Sequence, residues 1–145
     1  MEATTAPRQG EWTFAQWAVV VLISLQLLWA LAGLIAEPSI DFGEDAVTEK
    51  VLGVDFNGVH ALSGFLLFLP GYYFATRAKW AVYYCVYVAA ALWVTGIWAL
   101  FDNQPAYIFT FPDNEADAYF HLATGTLFAL IAAIQLARDR GALGD

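Results

Sequence analysis

Charged residues leave four long gaps in this chain. There are 25 uncharged residues between Glu11 and Glu37, 21 between Asp55 and Arg77, 22 between Lys79 and Asp102, and 20 between Asp117 and Arg138. A helix rises about 1.5 Å per residue, so about 20 apolar residues cross the roughly 30 Å hydrocarbon layer. The pattern predicts four membrane-spanning helices, at about residues 12–36, 56–76, 80–101 and 118–137. They form one membrane domain over residues 1–145, with longer loops at about 37–55 and 102–117. The expected fold is all-α, an integral membrane four-helix bundle. The first run is too long for the apolar part of a secretory signal and is read as a retained span.

Composition agrees: 60% of residues are hydrophobic, 17% aromatic and only 14% charged, the balance of a membrane protein. The single cysteine, Cys85, lies inside the third run and reads as a packing residue. The formal net charge of -8, with no basic patch, argues against nucleic-acid binding.

The few cations orient the chain, because Lys and Arg in short loops stay on the cytoplasmic side. Arg8, Arg77, Lys79, Arg138 and Arg140 fall on one side of the four spans, and Lys50 alone falls on the other. This predicts cytoplasmic termini in a multi-pass cell-membrane protein. The two long loops are then extracytoplasmic and hold 10 of the 14 acids. A solvated acidic face is the simpler reading of those loops; attraction of cations or of a basic partner is the alternative.

The only two histidines stand in near-copies of one pentapeptide, "HALSG" from His60 and "HLATG" from His121. Each opens an even-numbered span, and each odd-numbered span carries a glycine near its outer end, Gly33 and Gly96. The offsets, 61 and 63 residues, suggest two copies of a helix hairpin, residues 12–76 and 80–137. Both copies cross in the same sense, so they form a parallel repeat and bring the histidines to equal depth. Membrane helices associate where small residues let backbones approach. Gly58, Ser63, Gly64 and Gly71 supply such a face on the second span, Thr124 and Gly125 on the fourth, Ala30 and Gly33 on the first.

Pro70 and Gly71 predict a kink that neighbours must repair by satisfying the freed carbonyl. Tyr72, Tyr73, Phe74, Trp80, Tyr83 and Tyr84 read as an aromatic belt at the cytoplasmic interface. In the first outer loop, "GEDAVTEKVLG" reads as a short amphipathic helix with Val47, Val51 and Leu52 on its buried side. In the second, Tyr107, Ile108, Phe109 and Phe111 around Thr110 suggest a cap across the bundle mouth.

An ionisable residue in a span is costly and marks a candidate site. Three readings of the histidines compete. Paired imidazoles at equal depth suit a haem b held by His60 and His121, with Gly64 and Gly125 leaving room for the macrocycle. A metal ion suits His60, His121 and Asp117, with Asp55 a further possible ligand, since zinc takes such nitrogen and oxygen donors. The preferred reading needs no cofactor: Asn57, His60, Asp117 and His121 form a polar clamp between helices. No Ser-His-Asp arrangement, phosphate loop or HExxH motif points to catalysis. The few polar residues deep in the spans do not form an ion pathway.

The segment "DFNGVHALSGFLL", with Asn57, His60 and Gly64 in an N-x-x-H-x-x-x-G pattern, and the second copy around His121 and Gly125 resemble a family of small prokaryotic four-span membrane proteins catalogued as a domain of unknown function. The likeness runs from about residue 15 to 137, and Ala118 replaces the asparagine in the second copy. It implies the four-helix fold and no activity. The expected function is a non-enzymatic structural or accessory subunit working against the lipid bilayer, a membrane-protein partner or further copies of itself. A bis-histidine haem electron-transfer module is the first alternative, and an outer-face metal-binding protein the second.

Overall fold

The computed structural model describes residues 11–42, 46–101 and 115–142. Among these described residues, five helices and one small hairpin run in the order α1 (Phe14–Ala36), β1 (Glu49–Val51), β2 (Val54–Phe56), α2 (Gly58–Phe68), α3 (Pro70–Phe74), α4 (Ala78–Phe101) and α5 (Glu115–Gly141). Three of them, α1, α4 and α5, are long and apolar enough to cross a membrane. α1 packs on α2, and α4 on α5, and the two pairs meet around a core of Val19, Ile23, Cys85, Val88 and Phe128. Large apolar side chains such as Ile35, Leu66 and Phe101 point outward, as lipid-facing residues must.

The bundle has two unlike ends. At one, α1 begins and α3 turns into α4. Thr13 and Gln16 cap the start of α1 reciprocally, a capping box that satisfies two of the amides every helix start leaves open. The Gln16 amide also donates to the Ala75 carbonyl at 2.8 Å, and the Ala15 amide donates to Gln135 of α5 at 3.1 Å. A side chain of α1 thus closes the backbone at the end of α3, and one of α5 closes the backbone of α1.

The predicted interruption at Pro70 is present, and its repair is visible. Leu69 keeps helical dihedrals, but the Tyr72 amide turns back to the Leu69 carbonyl instead of Phe68. The Tyr84 hydroxyl donates to the carbonyls of Leu67 and Phe68, at 2.9 and 3.3 Å. Gly71 makes this approach possible, because a Cβ there would lie 2.7 Å from the Tyr84 oxygen. Tyr84 is therefore buried in the core and does not belong to the interfacial belt, whereas Tyr73 and Tyr83 are exposed as expected. Belt and core aromatics alternate around α4, and composition alone does not separate them.

At the other end, the loop between α1 and α2 holds a β-hairpin and not the amphipathic helix its sequence suggests. The register pairs Glu49 with Phe56, Lys50 with Asp55 and Val51 with Val54. The turn residues Leu52 and Gly53 both have positive φ, 56° and 89°, the geometry that matches a tight turn to the twist of its strands. Val54 and Phe56 are buried while Val47 and Leu52 are exposed. The β-branched alternation of Val51 and Val54 about a Gly-containing turn wins over the helical spacing. Residues 43–45 of that loop, and the proposed cap around Thr110 in the second, lie outside the described residues.

Replacing Tyr84 by Phe is expected to lower unfolding stability by about 1–3 kcal/mol, the effect of leaving buried carbonyls unmatched. Thermal or denaturant unfolding in detergent measures this, and Tyr83→Phe, on the exposed face, should leave the transition unchanged.

Candidate functional site

The site is built where the starts of α2 and α5 meet. Asn57 begins α2: its side-chain oxygen accepts from the His60 amide at 3.1 Å, and its amide donates to the Asp41 carbonyl at 2.9 Å. A fully buried asparagine thus fixes both the first turn of α2 and the chain arriving from α1. The Gly58 amide donates to Ser39, and the carbonyls of Pro38 and Ser39 come so near that a Cβ on Gly58 would lie 2.7 Å from each. This close seat sets where His60 stands.

His60 is held on three sides. Its Nδ1–H donates to the Asp55 carbonyl at 2.9 Å; a carbonyl cannot donate, so the proton lies on Nδ1. The Phe56 ring stacks on the imidazole, with centroids 4.2 Å apart and planes within 11°. Its Nε2 points at the Asp117 carboxylate, 3.8 Å away. Asp117 lies in the first turn of α5, and its second oxygen is 3.4 Å from Nε2 of His121, one turn further along that helix. The two imidazole centroids are 6.1 Å apart. One donor atom from each of His60, Asp117 and His121 lies within 4.8 Å of the others.

Burial makes this arrangement costly. Asp117 is 2% exposed and His60 9%, and charge removed from water must be paired or must bind a metal. The starts of two helices converge on the carboxylate, and their partial positive ends favour an anion there.

Gly96 of α4 lets α5 come close: a Cβ there would sit 2.8 Å from the Ala118 carbonyl and 3.1 Å from Cβ of His121. Gly33 of α1 receives the Phe56 ring, which would run into any side chain at that position. Gly64 faces Ala30, 3.3 Å from where its Cβ would be, and Gly125 faces Trp93 and the Ala89 carbonyl. These two glycines serve helix contact. Below the cluster lies a cavity of about 470 Å³ whose wall includes Trp29, Phe56, Phe120 and both imidazoles.

The sequence placed His60, Asp117 and His121 together, and the geometry does the same. Asn57 is adjacent but binds the His60 backbone and not its ring. Asp55 contributes its carbonyl to His60. Phe56 and Trp29 escaped notice, although Phe56 stands four residues before His60 as Asp117 stands four before His121.

Spanning helices arranged around a buried histidine–carboxylate cluster define a helical, multi-pass membrane protein. The chain belongs to the family described as a domain of unknown function, DUF4383, whose pattern matches residues 16–134. No curated protein and no solved structure matches it.

Changing Asn57 to Ala removes a helix cap and leaves the Asp41 carbonyl without its donor. A loss of about 1–3 kcal/mol is expected, read as a lowered unfolding midpoint in detergent.

Proposed function

We propose that the protein is a non-enzymatic four-span membrane subunit whose helix hairpins are clasped at the outer end by one divalent transition-metal ion on His60, Asp117 and His121. The observation that carries this reading is the direction of His60. With Nδ1 donating to Asp55, a neutral His60 turns its Nε2 lone pair toward a carboxylate oxygen at 3.8 Å, an opposition of acceptors that a bound cation relieves, as a second ring proton would. Metal-bound histidines commonly donate their other nitrogen to a backbone carbonyl, as His60 does. Zinc with bonds of about 2.0–2.2 Å in a tetrahedron holds its donors about 3.3–3.6 Å apart. The observed 3.8 Å to one Asp117 oxygen and 3.4 Å to the other, with one ligand atom from each of the three residues within 4.8 Å of the others, place the donors near this spacing and leave them to draw together around an ion. The set would leave a fourth position open.

The haem alternative has less support. The histidine separation suits it, but the Asp117 carboxylate stands between the imidazoles where the macrocycle would lie, and Gly64 and Gly125 are taken up by helix contacts.

Four spans are supported by the bond from Gln16 to Ala75. It returns the end of α3 to the level at which α1 starts, so residues 58–74 run the length of the bundle. The 11 residues of α2 and 5 of α3, with Leu69 between, make about 25 Å of helix. The duplication is supported by the matching seats of Gly33 on Phe56 and Gly96 on the Ala118–His121 turn. Cytoplasmic termini follow from the positive residues at the Gln16 end.

Purified protein in mild detergent should bind one zinc per chain by metal analysis and calorimetry. His60→Ala, His121→Ala and Asp117→Asn should each weaken binding at least about tenfold, the usual scale for a lost ligand or its support. Absence of metal binding would sink the reading, and a Soret band lost in both histidine variants would replace it with haem. For topology, Leu52→Cys at the exposed hairpin tip should react with an impermeant maleimide on intact cells. Buried Cys85 should not react. Labelling only after lysis would reverse the orientation.

A further inference from the structure

The cavity beneath the cluster has one polar end and an apolar body. α1 packs on α2 and α5 on α4, while α2 and α4 face each other across the gap, with His60, Gly64 and Phe68 on one wall and Leu92, Thr95 and Trp98 on the other. Its volume of about 470 Å³ suits one small molecule. The hydroxyls along it are engaged elsewhere. Ser63 donates to the His60 carbonyl at 2.7 Å, Thr95 to the Ala91 carbonyl at 3.0 Å, and Thr124 accepts from Gln26 at 3.4 Å. Among the described lining residues, the ionisable groups are confined to the His60–Asp117–His121 end, and Gln26 is the other polar side chain beside the hydroxyls. Val94 and Trp98 line the cavity and are also exposed on the outer surface of α4, so the space opens sideways between α2 and α4, where lipid would be.

We infer that this cleft takes a single-chain aliphatic carboxylic acid from the outer leaflet, its chain between α2 and α4 and its carboxylate at the open coordination position on the cavity side of the cluster. The inference rests on the metal reading and deepens it. A polar head at the outer end with a tail directed toward the midplane is how such an amphiphile already lies in a bilayer, so it enters sideways without turning over. The charge selects an acid and not an alcohol or ester. A divalent ion on two neutral imidazoles and one carboxylate keeps one positive charge, and a buried charge calls for a counter-charge. Zinc accepts a carboxylate oxygen at the same distances as its protein ligands.

Trp29 and Trp98 in the cavity wall make the test direct. A chain-brominated fatty acid added to zinc-loaded protein in detergent should quench tryptophan fluorescence saturably at one molecule per chain. The corresponding brominated methyl ester should bind at least tenfold more weakly. Thr95→Phe, which fills the cavity from the lipid-facing side of α4, should abolish saturable quenching while zinc still binds. Equal binding of acid and ester, or unchanged quenching in Thr95→Phe, would overturn the inference. Zinc binding is measured on the same preparation of the unsubstituted protein: zinc bound without saturable quenching removes the ligand site, whereas absence of both removes the metal reading as well.

Discussion

Hydrocarbon offers no hydrogen-bond partners, so every amide and carbonyl carried into the layer must be matched inside the protein. Most of the polar residues in these helices are explained by that demand. Tyr84 closes two of the carbonyls released where Pro70 interrupts α2 and α3, those of Leu67 and Phe68. Gln16 closes Ala75 at the following turn, and Gln135 closes the first turn of α1. Each reaches across to another helix, so repairing the backbone also fixes how the helices assemble. The His60–Asp117–His121 cluster is different in kind. Of its side chains, the His60 Nδ1–H meets a backbone acceptor, while Nε2 of each imidazole faces an oxygen of Asp117. Burial without a backbone demand is what distinguishes a site from a repair.

Small residues then determine where those atoms meet. Lipid is as apolar as leucine, so helices in it are held by close packing and not by exclusion of water. Gly33 admits the Phe56 ring, Gly96 admits the α5 backbone at Ala118, and Gly125 admits Trp93. The first two lie beside the cluster, one on each side. A side chain at Gly33 would displace Phe56 and the imidazole stacked on it; one at Gly96 would push back the turn that carries Asp117 and His121. The precision of the cluster is therefore a property of α1 and α4, which contribute no ligand to it.

The three long apolar helices were legible because hydrocarbon excludes charge so strongly that the gaps between charges outline them. Candidate ligands were legible too, since Asp117 and His121 are one helical turn apart and an ionisable group in a span stands out. The hairpin was not. Val47, Val51 and Leu52 fit a helical spacing as well as Val51 and Val54 fit a strand, and the turn uses Leu52 at positive φ where asparagine or glycine would have announced it. Nor was the burial of Tyr84, because interfacial and buried tyrosines look alike until the face of α4 is known. The anchor of His60 was hidden for a deeper reason. It is the carbonyl of Asp55, and a backbone acceptor has no letter in the sequence.

The duplicated-hairpin reading gives the asymmetry of the site a physical sense. Four residues before each histidine the two halves differ, Phe56 in the first and Asp117 in the second. Two aromatic residues there would leave the imidazoles without an anion, and two carboxylates would set like charges together in a medium that screens them poorly. One of each gives a stacked, oriented imidazole on α2 and a single carboxylate between both imidazoles. A single carboxylate is also less than a divalent ion needs for neutrality. The divergence of Phe56 from Asp117 thus keeps the protein's own charges compatible with burial, and an ion bound as proposed would be left one negative charge short.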